Sequence, residues 1–207
     1  MDIEDREIIY TAVVVVFDIE GARPRLSVET LKKIIRPPLT IGMAGEPGIT
    51  VVSSPRDQID ILLGQGRLQV RDNSGREPGK KPVSKIVFDT LMQLGGKYRA
   101  LGLNYGLAFR LRSGELPAQL IKDKMLNTKF LGSKIDTGFI GTSIKLQYPK
   151  GSKTCNLSLE PYENPESERF HIDLNVHEDI TTLPPHDALE KSFKIEYSDL
   201  MKLLASL

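Results

Sequence analysis

The chain has 207 residues, 40% of them hydrophobic, with 28 basic and 27 acidic side chains for a net charge of +1. This length supports one large core or two small ones, and the charge balance argues against a general nucleic-acid binder or a basic membrane-surface protein. The single cysteine, Cys155, excludes an internal disulfide framework and a multi-cysteine zinc site.

The opening MDIEDRE is acidic where a signal peptide is basic, and the apolar run that follows is too short to cross a bilayer. A cytoplasmic protein without a membrane partner is expected. EIIYTAVVVVFDI places Ile9, Thr11, Val13, Val15, Phe17 and Ile19 on one strand face and Tyr10, Ala12, Val14 and Val16 on the other. Apolar, β-branched character on both faces marks a central strand. Gly21 and Pro24 break it, LSVETLKKII follows as a helix, and Pro37-Pro38 ends that helix. After the segment IGMAGEPG come three strands, ITVVSS, QIDILL and RLQVRD, with Gly64-Gln65-Gly66 tightening the second turn. The loop NSGREPGKKP opens a helix, VSKIVFDTLMQL, with Val83, Ile86, Val87, Leu91 and Leu94 on one side; Gly95-Gly96 stops it.

The order then recurs. YRALGLNYGLAFRLR is a long strand with Leu101, Leu103, Tyr105, Leu107, Phe109 and Leu111 on one face. LPAQLIKDKML reads as a helix, and FIGTSIKLQY, TCNLSLEPY and RFHIDLNVHE read as strands. HDALEKSFKIEYSDLMKLLASL spaces Leu189, Phe193, Tyr197, Leu200 and Leu204 as the buried stripe of a helix about 30 Å long. The expected fold is α+β. Two similar β-α-β-β-β-α halves, 1–96 and 97–207, share a mostly antiparallel sheet with helices on one face and form one compact unit. Residue identity between the halves is negligible, so the repeat is architectural.

Familiar catalytic signatures fail on inspection. Asp136-Thr137-Gly138 matches the tripeptide of aspartic proteases, but Phe139 stands where that turn takes a small residue. Asp89-Thr90 continues into Leu91, so the chain supplies no second carboxylate to share the proton. A turn leading into a strand accounts for the tripeptide. The stretch Gly75 to Lys81 is one residue short of a P-loop and has Lys81 where the Mg²⁺-binding hydroxyl belongs. Cys155 shares a strand face with Leu157 and Leu159 and reads as a buried, inert thiol.

The histidines lie on polar strand positions. His171 and His177 are about 20 Å apart along one strand and cannot grip one ion. His171 and Asp173 are same-face neighbours, and Glu160 on the adjacent strand offers a third ligand, which defines an alternative reading as a metal-assisted hydrolase. The larger pattern is collective. The face opposite the bulky apolar groups gathers Asn104, Arg110, Lys145, Glu160, His171, Asp173, Asn175 and His177 as candidate binding residues, with Gln147, Asn156 and Ser158 beside them. Gly102, Gly106 and Ala108 floor a strip along the central strand, where a ligand or another backbone can approach.

The double β-α-β-β-β-α order resembles folds of the TATA-binding-protein and helix-grip type, whose saddle or groove binds DNA, a ligand or a protein. Tyr98-Arg99-Ala100-Leu101-Gly102-Leu103-Asn104-Tyr105 is similar to the arginine-then-Gly-Leu-x-Tyr stretch of a family of uncharacterised bacterial proteins. The strand Ile172-Asp173-Leu174-Asn175-Val176 before a terminal helix is similar to that family's ending. The resemblance implies a bacterial protein and carries no activity. The expectation is a non-enzymatic binding protein without a cofactor, acting on a protein partner, a ligand or a second copy of itself. Nucleic acid is not the expected partner.

Overall fold

Two unusually long strands set the architecture. The computed structural model describes residues 3–18, 28–35, 38–43, 49–64, 66–125 and 143–206. In chain order the elements are β1 (Ile3–Asp18), α1 (Val28–Ile34), β2 (Thr40–Met43), β3 (Thr50–Ser54), β4 (Ile59–Gly64), β5 (Arg67–Asp72) and α2 (Val83–Leu94). Then follow β6 (Lys97–Leu111), α3 (Pro117–Leu120, continued by a π-helical turn over Ile121–Met125), β7 (Ile144–Lys150), β8 (Lys153–Pro161), β9 (Phe170–Asp179) and α4 (His186–Ser206). The described strands form one antiparallel sheet in the order β2-β3-β4-β5-β1-β6-β9-β8-β7. The fold is α+β. No described helix is long and apolar enough to cross a membrane.

β1 and β6 lie side by side at the centre, paired from Ile3 with Leu111 to Asp18 with Lys97. β1 is apolar on both faces, and β6 backs its apolar face with Gly102, Gly106 and Ala108 in place of long polar side chains, as strands inside a sheet do. One face of the sheet carries Val13, Val15, Leu103, Tyr105, Leu107 and Phe109, each at most 2% exposed. The helices cover this face: α2 packs on β1 and β5, α3 on β8, and α4 on β6 and α2. Tyr105 donates its hydroxyl to the Phe193 carbonyl of α4 at 2.8 Å, and the two rings stack with centroids 5.2 Å apart. The apolar stripe of α4 is the expected one, with Leu189, Phe193, Tyr197, Leu200 and Leu204 all buried.

Three readings change in the structure. β2 is a fourth strand after α1, so the first segment runs β-α-β-β-β-β-α; with four residues and Gly42 in it, it carries too little alternation to read as a strand. Ile8, not Ile9, enters the core, because the β1–β6 register shifts between Ile8 and Tyr10 and this irregularity reverses the alternation. The strand expected over FIGTSIKLQY is described from Ile144 onward; its first residues and Asp136-Thr137-Gly138 lie outside the described residues.

Glycine is required where two turns press on the end of β1. Gly66 has φ 72° and a Cβ there would stand 2.5 Å from the Phe17 carbonyl oxygen. Gly96, at φ 123°, would meet the Asp18 carbonyl oxygen at 2.7 Å. Both follow the elements that bring the chain back to β1, so the same strand end fixes the entry to β5 and to β6.

The β7–β8 end of the sheet is tied to α4 by charge. Glu196 is 4% exposed, yet accepts hydrogen bonds from Lys150 at 2.6 Å and Lys153 at 2.7 Å. Lys150 also bonds Asp199 at 2.6 Å, which Lys202 holds from the other side at 2.9 Å. Burial opposes ionisation of Glu196, but the Lys150 and Lys153 bonds outweigh it and hold the carboxyl below its ordinary value. A folded value below the unfolded one means that this contribution is complete above about pH 4.3 and is lost as pH falls through the lower folded value.

Two outcomes check this account. Val13→Asp and Tyr105→Asp should each prevent cooperative folding, since an unpaired charge at a fully buried site costs several kcal/mol against a typical stability of about 5–15 kcal/mol. Recovery of a soluble, cooperatively melting protein from either substitution would displace β1 or β6 from the centre. Glu196→Gln should cost about 1–3 kcal/mol at neutral pH, the scale of hydrogen bonds to a charged group. Its melting deficit relative to the wild type should shrink as pH falls through the lowered folded value, where the wild-type carboxylate becomes protonated as well; an unchanged deficit would place the effect outside the ion cluster.

Candidate functional site

The sheet face opposite the helices is organised by rows of cross-strand neighbours. Asn104 on β6 stands opposite Asn175 on β9, which stands opposite Asn156 on β8, which stands opposite Gln147 on β7. The four amides are linked head to tail. Gln147 Nε2 donates to Asn156 Oδ1 at 3.0 Å, Asn156 Nδ2 to Asn175 Oδ1 at 3.3 Å, and Asn175 Nδ2 to Asn104 Oδ1 at 2.6 Å. Each link uses one N–H and one carbonyl lone pair, and an amide has two of each. The row therefore retains donors and acceptors along its length, much as a strand edge does.

The adjacent row runs Tyr10, Gly106, Asp173, Ser158 and Lys145 across five strands. Tyr10 lies directly opposite Gly106, and its ring covers that glycine: an added Cβ would stand 2.3 Å from Tyr10 Cε1. An aromatic side chain covering a cross-strand glycine shields backbone that would otherwise face solvent. The ring spans β6 to reach β9, where the Tyr10 hydroxyl donates to Asp173 Oδ1 at 2.5 Å. Burial and the bond to Asp173 raise the phenol pKa well above its ordinary value, so Tyr10 remains a donor at physiological pH. The Arg71 guanidinium stacks on the ring with its carbon 4.1 Å from the centroid. Arg71 Nε donates to Asn73 Oδ1 at 2.7 Å, and Asn73 Nδ2 to Asp60 Oδ2 at 2.8 Å.

Together the rows border a trough of about 440 Å³ whose polar lining is Tyr10, Asn104, Lys145, Gln147, Asn156, Ser158, Asp173 and Asn175, with Leu146, Leu157 and Leu174 between them. Its charged groups are Asp173 and Lys145; the remaining polar lining is neutral. Four of the expected binding residues, Asn104, Lys145, Asp173 and Asn175, line it. The others share the sheet face but not the trough. Arg110 is paired with Glu168 at 3.0 Å, and His177 Nε2 lies 3.2 Å from Asp179 Oδ1. His171 and Glu160 lie one row beyond Asp173 and Ser158.

The glycine-floored strip is not open along β6. Gly102, Gly106 and Ala108 are buried, and the Tyr10 side chain, neither helix nor loop, covers Gly106. Nor do His171, Asp173 and Glu160 converge on one point. Glu160 Oε1 lies 3.4 Å from Nδ1 of His171, while Asp173 Oδ2 lies 3.6 Å from Nε2. The two carboxylates thus stand against opposite ring nitrogens, whereas one ion takes a single imidazole nitrogen with the carboxylates beside it. Among the described residues no group of three or more His, Cys, Asp or Glu side chains is placed to hold a metal ion.

Tyr10, Gln147, Asn156 and Ser158 are site residues that sequence reasoning did not select. The last three fall on the polar face by alternation, but only register shows that they form rows with Asn175 and Asp173. Tyr10 belongs to the other end of the chain, 163 residues from Asp173. Comparison with known protein families and with curated proteins finds no match to this chain.

Gly106→Ala should already displace the Tyr10 ring and destabilise the protein by about 1–3 kcal/mol, the scale of overpacking. In a Tyr10→Ala background the same change should cost much less, giving a clear coupling energy in a double-mutant cycle of melting free energies. Additive losses would mean that Tyr10 does not cover Gly106.

Proposed function

We propose that this chain is a non-enzymatic binding protein whose polar sheet face holds an extended segment of a protein partner over β6, β9, β8 and β7. The head-to-tail amide row from Gln147 to Asn104 carries the reading. It offers spare donors and acceptors at the spacing of adjacent strands, about 4.8 Å, so a peptide crossing the strands meets a polar group at each step. The trough beside it is nearly neutral and supplies one cation, Lys145, and one anion, Asp173, suited to mixed polar side chains. Tyr10 adds a rigid aromatic edge of the kind enriched in protein interfaces.

The architectural part of the proposal is that 1–96 and 97–207 are related halves meeting at β1 and β6, in the manner of the TATA-binding-protein and helix-grip types. Both runs begin with a long central strand, pass through a helix and an antiparallel meander, and finish with a helix that packs on the shared core. A cytoplasmic bacterial setting, with a partner protein or a second copy as the bound molecule, completes the reading.

The test uses Ser158→Arg, which sets a long charged side chain in the trough, and Gln147→Ala at the exposed end of the row. Both are surface changes expected to alter stability by no more than about 0.5 kcal/mol. A partner captured from the native cell by the wild-type protein, and reconstituted from pure components, should bind at least about tenfold more weakly to each variant. On binding, the side-chain amide NMR signals of Asn156 and Asn175 should shift. Undiminished affinity in both variants overturns the assignment of this face.

A further inference from the structure

A second cavity lies on the helix side of the same strands. It has a volume of about 620 Å³, within the range of small-molecule pockets, and sits between the β7–β8–β9 end of the sheet and α4. Its wall is built mainly of aliphatic side chains, including Leu157, Leu159, Ile172, Leu174 and Leu203. Water gains little in such a space, because it finds few polar partners there.

The cavity is polar at one end only. Cross-strand register orders its wall: Ile144 with Leu159, then Leu146 with Leu157, then Tyr148 with Cys155, then Lys150 with Lys153. Ile144 stands at the apolar end; Lys150, with Glu196 and Asp199 bonded to it, stands at the other. From Ile144 to Lys150 the strand advances about 20 Å, so the cavity is elongated along β7. Leu146 is half exposed and gives it a rim.

The charges at the polar end decide what enters. Lys150 is held between Glu196 and Asp199, and Lys153 and Lys202 take the other oxygens of those carboxylates. An anionic head would face Glu196 and Asp199, and a cationic head would face Lys150. A hydroxyl, which both donates and accepts, meets no like charge. Lys150 makes two hydrogen bonds to these carboxylates and has three N–H groups, so it can give the third to a ligand oxygen.

We propose that this cavity is a binding site for an uncharged, elongated amphiphile of the long-chain alcohol class, its tail toward Ile144 and its hydroxyl toward Lys150. The site lies on the other face of the sheet from the polar trough, and Leu146, Leu157 and Leu174 border both. A small ligand here and a peptide on the opposite face would act on the same strands.

The test uses the intact chain and N-phenyl-1-naphthylamine, whose fluorescence rises in apolar sites. The dye should bind saturably, and decanol should displace it about tenfold more effectively than decanoate or decylammonium. Cys155→Phe, which fills the cavity, and Leu146→Glu, which charges its rim, should remove dye binding, while the surface change Met92→Ser leaves it intact. Cys155 provides a readout that needs no variant. It is the single cysteine and lines the cavity, so saturating decanol should slow its modification by methyl methanethiosulfonate several-fold. Absence of saturable dye binding, equal binding by a folded Cys155→Phe protein, preference for either charged chain, or a modification rate indifferent to decanol would each overturn the proposal.

Discussion

The pairing of β1 with β6 is the constraint on which the rest of the structure depends. It runs nearly the full length of both strands, from Ile3 with Leu111 to Asp18 with Lys97, and joins residues about a hundred positions apart. Each strand needs a partner on both sides, because its backbone N–H and C=O groups would otherwise lie unpaired beside a face that buries Val13, Val15, Leu103 and Tyr105. β5 satisfies β1 and β9 satisfies β6, and each outer strand then follows by a short antiparallel connection. Such a seam carries a high loop-closure cost, since the whole first segment must fold back for the ladder to form.

The seam also creates the difference between the two faces. On the helix side, Tyr105 fits under α4 and hydrogen-bonds its backbone, so the long C-terminal helix is positioned by the central strand. On the other side, β6 presents Gly102, Gly106 and Ala108, too small to cover their own backbone. The regular β1–β6 register sets the Tyr10 ring over Gly106, and its hydroxyl reaches Asp173. A side chain from β1 thereby becomes part of a trough otherwise built by β6 to β9. The polar face is organised by this one crossing as much as by the amide row.

At the far end of the sheet the adhesive is ionic. Glu196 is nearly inaccessible, yet the lysines that neutralise it reach in from β7 and β8. This arrangement lets the sheet and α4 diverge enough to leave an apolar cavity between them while remaining tied at one end. Closing the gap with apolar contacts would remove the cavity; removing one partner would leave a buried charge unpaired, which is the costlier fault. The same cluster thus supports the fold and defines the polar end of the proposed ligand site.

Periodicity alone determined much of this protein. The two-sided apolar pattern of β1 identified a central strand, and the stripes Val83–Leu91 and Leu189–Leu204 identified the faces of α2 and α4, because burial acts residue by residue with a fixed period. Alternation likewise assigned Asn104, Asn156, Asp173 and Asn175 to one face. Register was another matter. Nothing local tells which residue of one strand opposes which of the next, so the amide row, the seating of Tyr10 on Gly106 and the approach of Glu160 and Asp173 to opposite nitrogens of His171 were decided by tertiary structure. The shift from Ile9 to Ile8 in the core has the same origin, a ladder irregularity imposed by β6. Glu196 shows the limit most plainly: a charged residue beside a helix stripe reads as solvated, and only the arrival of Lys150 and Lys153 from two other strands makes its burial favourable.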